Sequence, residues 1–130
     1  MTILFILGRI LFGGFFLYNG IKHILNKAQL IGYAQSKGVT HAKAAVLGSG
    51  ILILLGGFMV IVGLFPRLGL VFIATFLVGV TFKMHRFWKI TDPQMRAMEK
   101  IQFTKNMALL GAVLMMLGLF AEWPLSILFA

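Results

Sequence analysis

The chain has no cysteine, which excludes disulfides, thiol relays, c-type haem attachment and thiolate-held iron–sulfur clusters. Acids are nearly as scarce, three Asp and Glu against twelve Lys and Arg. No two carboxylates fall at membrane depth to divide acid and base roles, and there is no Gly-x-Ser-x-Gly elbow, so hydrolytic catalysis lacks its parts. Ser49, between Gly48 and Gly50, reads as a helix-packing hydroxyl. The histidines are His23, His41 and His85, with no pair three or four residues apart beside a carboxylate, and no metal site is expected.

What fills the chain is apolar. Hydrophobic residues make up 60% and charged residues 12%, a balance that would leave a soluble domain of 130 residues with more apolar surface than it could bury. The run Ala44–Phe65 has no ionisable group. At a rise of about 1.5 Å per residue, a helix of that length crosses a hydrocarbon layer of roughly 30 Å. The net charge is +9, but the basic residues are interleaved with apolar runs, so the expected anionic partner is the phospholipid headgroup layer and not nucleic acid.

Four spans follow, Ile3–Ile21, Ala44–Phe65, Leu68–Met84 and Asn106–Trp123, in one domain over residues 1–130. The expected fold is all-α, an integral membrane four-helix bundle running up-down-up-down. Span one lacks a basic n-region and a small-residue cleavage site, so it is expected to stay as an anchor. Only Pro66 and Arg67 separate spans two and three, which makes those helices antiparallel neighbours. Lys22, Lys27, Lys37 and Lys43 flank or fill the first connection, and Lys83, Arg86, Lys89, Arg96, Lys100 and Lys105 the third. The positive-inside rule puts loops 22–43 and 83–105 in the cytoplasm of a bacterial cell, with the chain in its inner membrane and both termini outward.

Each long loop carries a short interfacial amphipathic helix. Ala28–Lys37 gathers Leu30, Ile31, Tyr33 and Ala34 on one side and stops at Gly38. In the third connection Asp92 reads as an N-cap and Pro93 as the first helical residue, after which Met95, Met98 and Ile101 recur every third position. Glycines seven apart, Gly13 and Gly20, Gly56 and Gly63, Gly111 and Gly118, mark stripes on which helices can approach closely.

Ionisable groups at membrane depth each invite an explanation. On the outer side Arg9 faces Glu122 as a potential partner, with Arg67 competing and snorkelling to the headgroups as the alternative. On the inner side Lys22, His23, His85, Trp88, Lys105 and Asn106 gather at one depth. Such a cluster can hold the polar head of an amphiphile. A quinone fits, since its tail prefers lipid while its ring oxygens want donors. Anchoring the helices and binding anionic lipid headgroups is the other use for the same residues.

The order His85, Arg86, Phe87, Trp88, then Asp92-Pro93, then Phe103, Lys105 and Asn106, followed by Ala108-Leu109-Leu110-Gly111, resembles the signature of DoxX-like membrane proteins. Arg9, Gly20, the phrase Tyr33-Ala34-Gln35-Ser36-Lys37-Gly38-Val39, and Leu54-Leu55-Gly56-Gly57 leading to Gly63 and Pro66-Arg67 agree. The resemblance implies association with a quinone-linked oxidoreductase and with oxidative-stress resistance. It also marks a departure: where many relatives look to carry a glutamate early in span two, this chain has Ile53.

Three functions are consistent with these residues. One is a non-catalytic accessory subunit of a membrane redox or stress-response complex, docking a membrane or peripheral oxidoreductase or a second copy of itself through glycine stripes and methionines such as Met59, Met107, Met115 and Met116. The second is a quinone-binding subunit of such an oxidoreductase, with His85 handling protons. The third is a small transporter, which would want a span broken around a central charge.

Overall fold

The computed structural model describes residues 1–119 and 122–128. It is all-α: α1 (Thr2–Leu25), α2 (Lys27–Ser36), α3 (Ala42–Val62), α4 (Pro66–Met84), a single 3-10 turn at Phe87–Lys89, and α5 (Pro93–Leu117). Three of these, α1, α3 and α4, are long and apolar enough to cross a bilayer. No strand occurs among the described residues, only an isolated bridge between Leu64 and Leu128.

Close backbone approach joins α1 to α3. A Cβ built on Gly13 would meet Gly57 O at 2.7 Å, and one on Gly20 would meet Gly50 O at 2.8 Å. As α1 advances from Gly13 to Gly20, its contacts on α3 retreat from Gly57 to Gly50, so the two helices are antiparallel. Gly56 meets Gly69 O in the same way, bringing α3 against α4. The expected stripes are therefore half right. Gly13, Gly20 and Gly56 pack helices, whereas Gly111 faces open space, and Gly63 ends α3 in the left-handed region at φ 70°.

The largest revision concerns the last span. The expected amphipathic helix and span four are one continuous helix, started by Asp92, whose side chain accepts from Met95 N at 2.9 Å, with Pro93 at its first turn. It ends at Leu117, well short of Trp123. Nothing between Pro93 and Leu117 breaks it, because Thr104 hydrogen-bonds back to Lys100 O and Ile101 O and Lys105 to Gln102, leaving the helical ladder intact. Its uncharged part, Asn106–Leu117, rises only about 18 Å.

Pairwise contacts set the layout. Arg67 on α4 donates to Leu119 O just beyond α5 at 3.3 Å, while Phe82 near the other end of α4 meets Phe103 on α5, making these two antiparallel. The loops rich in lysine thus share one end, and Arg9, Arg67 and residues 122–128 share the other. The core joins Phe16, Ile53, Val60, Leu70, Ile73, Leu77, Val113 and Trp123. A second cluster of Ala34, Ala42 and Val46 docks α2 under the basic end, with Leu30, Ile31, Val39 and Met84 around it. Ile3, Leu4, Leu7, Leu11, Leu114 and Met115 are exposed, as lipid-facing side chains should be.

Candidate functional site

At the Arg9 end each nitrogen of the Arg9 guanidinium is spent. Arg9 is buried, and its guanidinium donates to Val60 O at 3.0 Å, Ile61 O at 2.9 Å and Pro124 O, with Trp123 beneath it at 5.8 Å. Val60 and Ile61 lie in the last turn of α3, where carbonyls have no intrahelical donor and carry the negative end of the helix dipole. The arginine fork therefore caps a helix. That corrects the expected pairing with Glu122, which is exposed in the segment after α5.

The basic end holds a cavity of about 440 Å³ reached by all five helices. Its floor is apolar, with Phe16, Leu77, Phe76 and Val80, and its polar groups are Asn19 and His23 from α1, Tyr33 from α2, Ser49 from α3, Lys83 from α4, His85, and Gln102, Lys105 and Asn106 from α5. The size is within the range of small-molecule sites, and a mostly apolar wall with a few convergent polar groups is their usual composition. Helical period explains the membership. Phe16, Asn19 and His23 stand at i, i+3 and i+7 on α1, and Asn106 stands one turn after Gln102 on α5.

Four of the six expected residues line this cavity: His23, His85, Lys105 and Asn106. Asn106 is 6% exposed, and its side-chain amide makes no hydrogen bond among the described residues. Lys105 donates to Gln102 Oε1 at 2.7 Å and lies over the Phe15 ring at 5.5 Å. The other two expected residues are elsewhere. Lys22 is about 100° round the helix from His23 and rests on Tyr18 one turn earlier, at 5.4 Å. Trp88 is caught edge-on by Phe87 and Phe103 at 5.3 and 5.6 Å. Aromatic packing takes it out of the site.

Sequence reasoning missed Glu99. It lies one turn before Gln102 and seven residues before Asn106, on the same stripe of α5, and it accepts from Tyr33 OH at 2.5 Å and from His85 Nδ1 at 2.6 Å, with Lys37 Nζ at 3.5 Å. Burial raises the Glu99 carboxyl, but the hydrogen bonds from Tyr33 and His85 and the charges of His85 and Lys37 outweigh it and hold the group below its ordinary value. Burial, together with the hydrogen bond and charge of Glu99, pushes the Tyr33 phenol up, so it stays a donor. The clamp ties α2 to α5 and holds two of the cavity's lining residues, Tyr33 and His85. The signal that could have found it was the continuity of α5: with Asn106 placed, a carboxylate seven residues earlier falls on the same side.

His23 is fixed from α3. Its Nδ1 lies 3.0 Å from Val46 O and 3.3 Å from Ser49 Oγ, while Ser49 Oγ donates to Val46 O at 3.1 Å. Its ring stands edge-on to Phe76 at 5.9 Å. Both site histidines are thus held at Nδ1 by the protein. No group of metal-ligand side chains occurs among the described residues.

Ile53 is fully buried in the core cluster, where a charge would have no partner.

No curated protein and no solved structure matches the chain. The model of one family does, over residues 4–86, which takes in Arg9, His23, Tyr33, Ile53 and His85 and stops before Glu99, Lys105 and Asn106. With more than half of its length matched and three helices fit to cross a bilayer, this multi-pass membrane protein belongs to the DoxX family.

Proposed function

We propose that the chain is a four-span accessory subunit that holds a quinone-class amphiphile at the cytoplasmic side of the membrane. The observation that carries this reading is the cavity, mostly apolar and lined by His23, His85, Lys105 and Asn106 at the end of the molecule that carries the basic loops. The donor set suits the class, since ring oxygens need polar partners while an isoprenoid tail needs the Phe16, Phe76 and Leu77 wall and the lipid beyond.

The fourth crossing belongs to α5. Its uncharged part is short, and Lys100 and Lys105 would extend it by snorkelling, with the segment after Leu117 completing the distance to the far headgroups. The positive-inside rule then puts Lys37 and Lys89 in the same, cytoplasmic compartment. With no cysteine for a thiol relay or a thiolate-held cluster, electrons would be exchanged with a partner oxidoreductase, which makes this chain accessory.

The chemistry the bound group would supply is electron and proton exchange. This chain's residues bind and orient it: Asn106 offers donor and acceptor, and Tyr33 and Leu30 on α2 cover the mouth. His85 is held in place by Glu99 at its Nδ1. Purified protein should bind a short-tailed benzoquinone saturably, and His85→Ala or Asn106→Ala should weaken binding about tenfold, the loss of one or two neutral hydrogen bonds, without changing helicity. Equal binding by parent and both variants would remove the site. Labelling of Lys37 and Lys89 from opposite compartments would remove the topology.

A further inference from the structure

We infer that the cavity selects an amphiphile whose head donates hydrogen bonds, the dihydroxy quinol form in preference to the dicarbonyl quinone. This rests on the reading above and names the ligand of that same site. At His23, Nδ1 is 3.0 Å from Val46 O. A carbonyl oxygen has only lone pairs to offer, so Nδ1 carries the proton. Ser49 agrees, because its own proton is directed to Val46 O and its oxygen can only accept from Nδ1.

His85 reaches the same state by another route. Its Nδ1 is 2.6 Å from Glu99 Oε2, and the other carboxylate oxygen receives the Tyr33 phenol. An ionised carboxylate has no proton to give, so Nδ1 is again the donor. A neutral imidazole has one N–H. With both spent on the protein, Nε2 of each ring keeps a lone pair, and both rings line the cavity.

Two acceptors therefore serve the polar end. A quinone would set its carbonyl lone pairs against them, whereas each quinol hydroxyl has a proton to give. Asn106 can serve either form and does not discriminate. Lys105 and Lys83 favour the carbonyl form, but both are exposed, and Lys105 already donates to Gln102. Of the cationic side chains nearby, Lys83 and Lys105 line the cavity, while Lys37 faces the Glu99 oxygen that Tyr33 uses. Glu99 is then a positioning residue that acts through His85.

The test is anaerobic titration of the detergent-purified protein at about pH 8, where free imidazole is neutral, with a decyl-substituted benzoquinone and, in parallel, its reduced quinol. The quinol should bind about tenfold more tightly, the difference that one or two neutral hydrogen bonds supply. Equal binding, or tighter binding of the quinone, overturns the selection while leaving the amphiphile site standing; saturable binding of neither ends both. Histidine-selective ¹⁵N NMR of the parent protein gives an independent readout: Nδ1 protonated and Nε2 bare at His23 and His85 supports the inference, and the opposite tautomer at both overturns it. In Glu99→Gln, whose amide can donate as well as accept, the preference should fall to about threefold, with His23 alone imposing it. A variant that keeps the full preference would remove Glu99 from the role.

Discussion

The two ends of the molecule handle polar groups in opposite ways. At the Arg9 end a buried cation has each nitrogen of its guanidinium committed to a main-chain carbonyl. At the basic end two imidazoles and an amide line a cavity of about 440 Å³, and each has capacity left after the protein has used it. A buried polar side chain with nothing left to give holds the fold. One with a lone pair or amide left over is available to a ligand.

Breaking the closed end should have the largest effect. Arg9→Leu leaves the α3 carbonyls unpaired away from water, and removal of one side of a buried charged network costs about 3–5 kcal/mol. The variant should lose its cooperative melt, followed by the fluorescence of Trp123, which lies under the guanidinium. Arg9→Lys should recover only part, since an ammonium cannot span three carbonyls as a planar fork does.

Helix approach comes next. In Gly57→Ala the new Cβ would stand 2.5 Å from Gly13 O and 2.7 Å from Leu17 N, both backbone atoms, so α1 and α3 must part at a cost of about 1–3 kcal/mol. Gly79→Ala and Gly111→Ala meet nothing within 4 Å and should be neutral or gain up to about 1 kcal/mol of helix propensity. Thermal shifts of opposite sign in the two classes would sharpen the contrast; equal shifts would dissolve it.

At the open end the effects should be local. Glu99 is held below its ordinary carboxyl value, so its contribution is complete above the unfolded value of 4.5 and is lost as pH falls through the lower, folded one. Amide exchange in α2, corrected for its intrinsic pH dependence, should therefore rise in acid relative to α3. Glu99→Gln should show loosened α2 at every pH, by roughly 1.5–3 kcal/mol for the charged hydrogen bonds removed, with little pH response left. The smallest stability change belongs to Asn106→Leu. That amide has no partner among the described residues, so melting should move by less than about 1 kcal/mol while amphiphile binding falls about tenfold.

The elements were largely legible in the sequence. Long apolar runs announced α1, α3 and α4, Asp92-Pro93 announced the start of α5, and Gly38 marked a stop, whereas Gly63, expected in a packing stripe, ends α3. The site was legible in part. His23, His85, Lys105 and Asn106 were placed by depth alone, and depth cannot separate Lys22 from His23, which are adjacent in sequence and point about 100° apart. Glu99 was hidden because a carboxylate in a polar stretch looks solvated until its partners, 66 and 14 residues away, come into view. The arginine at position 9 invited an acidic partner, yet a helix end supplied carbonyls that carry no signature in the chain.

By itself, the order of residues determined the medium: 60% apolar composition and long uncharged runs can be accommodated only by lipid, because hydrophobic burial is additive and local. Tertiary structure alone decided which polar atoms are spent and which are left over. Hydrogen bonds are directional and close over a few ångströms, and the partners of Arg9, His23 and Glu99 lie on other helices that only packing brings within that reach.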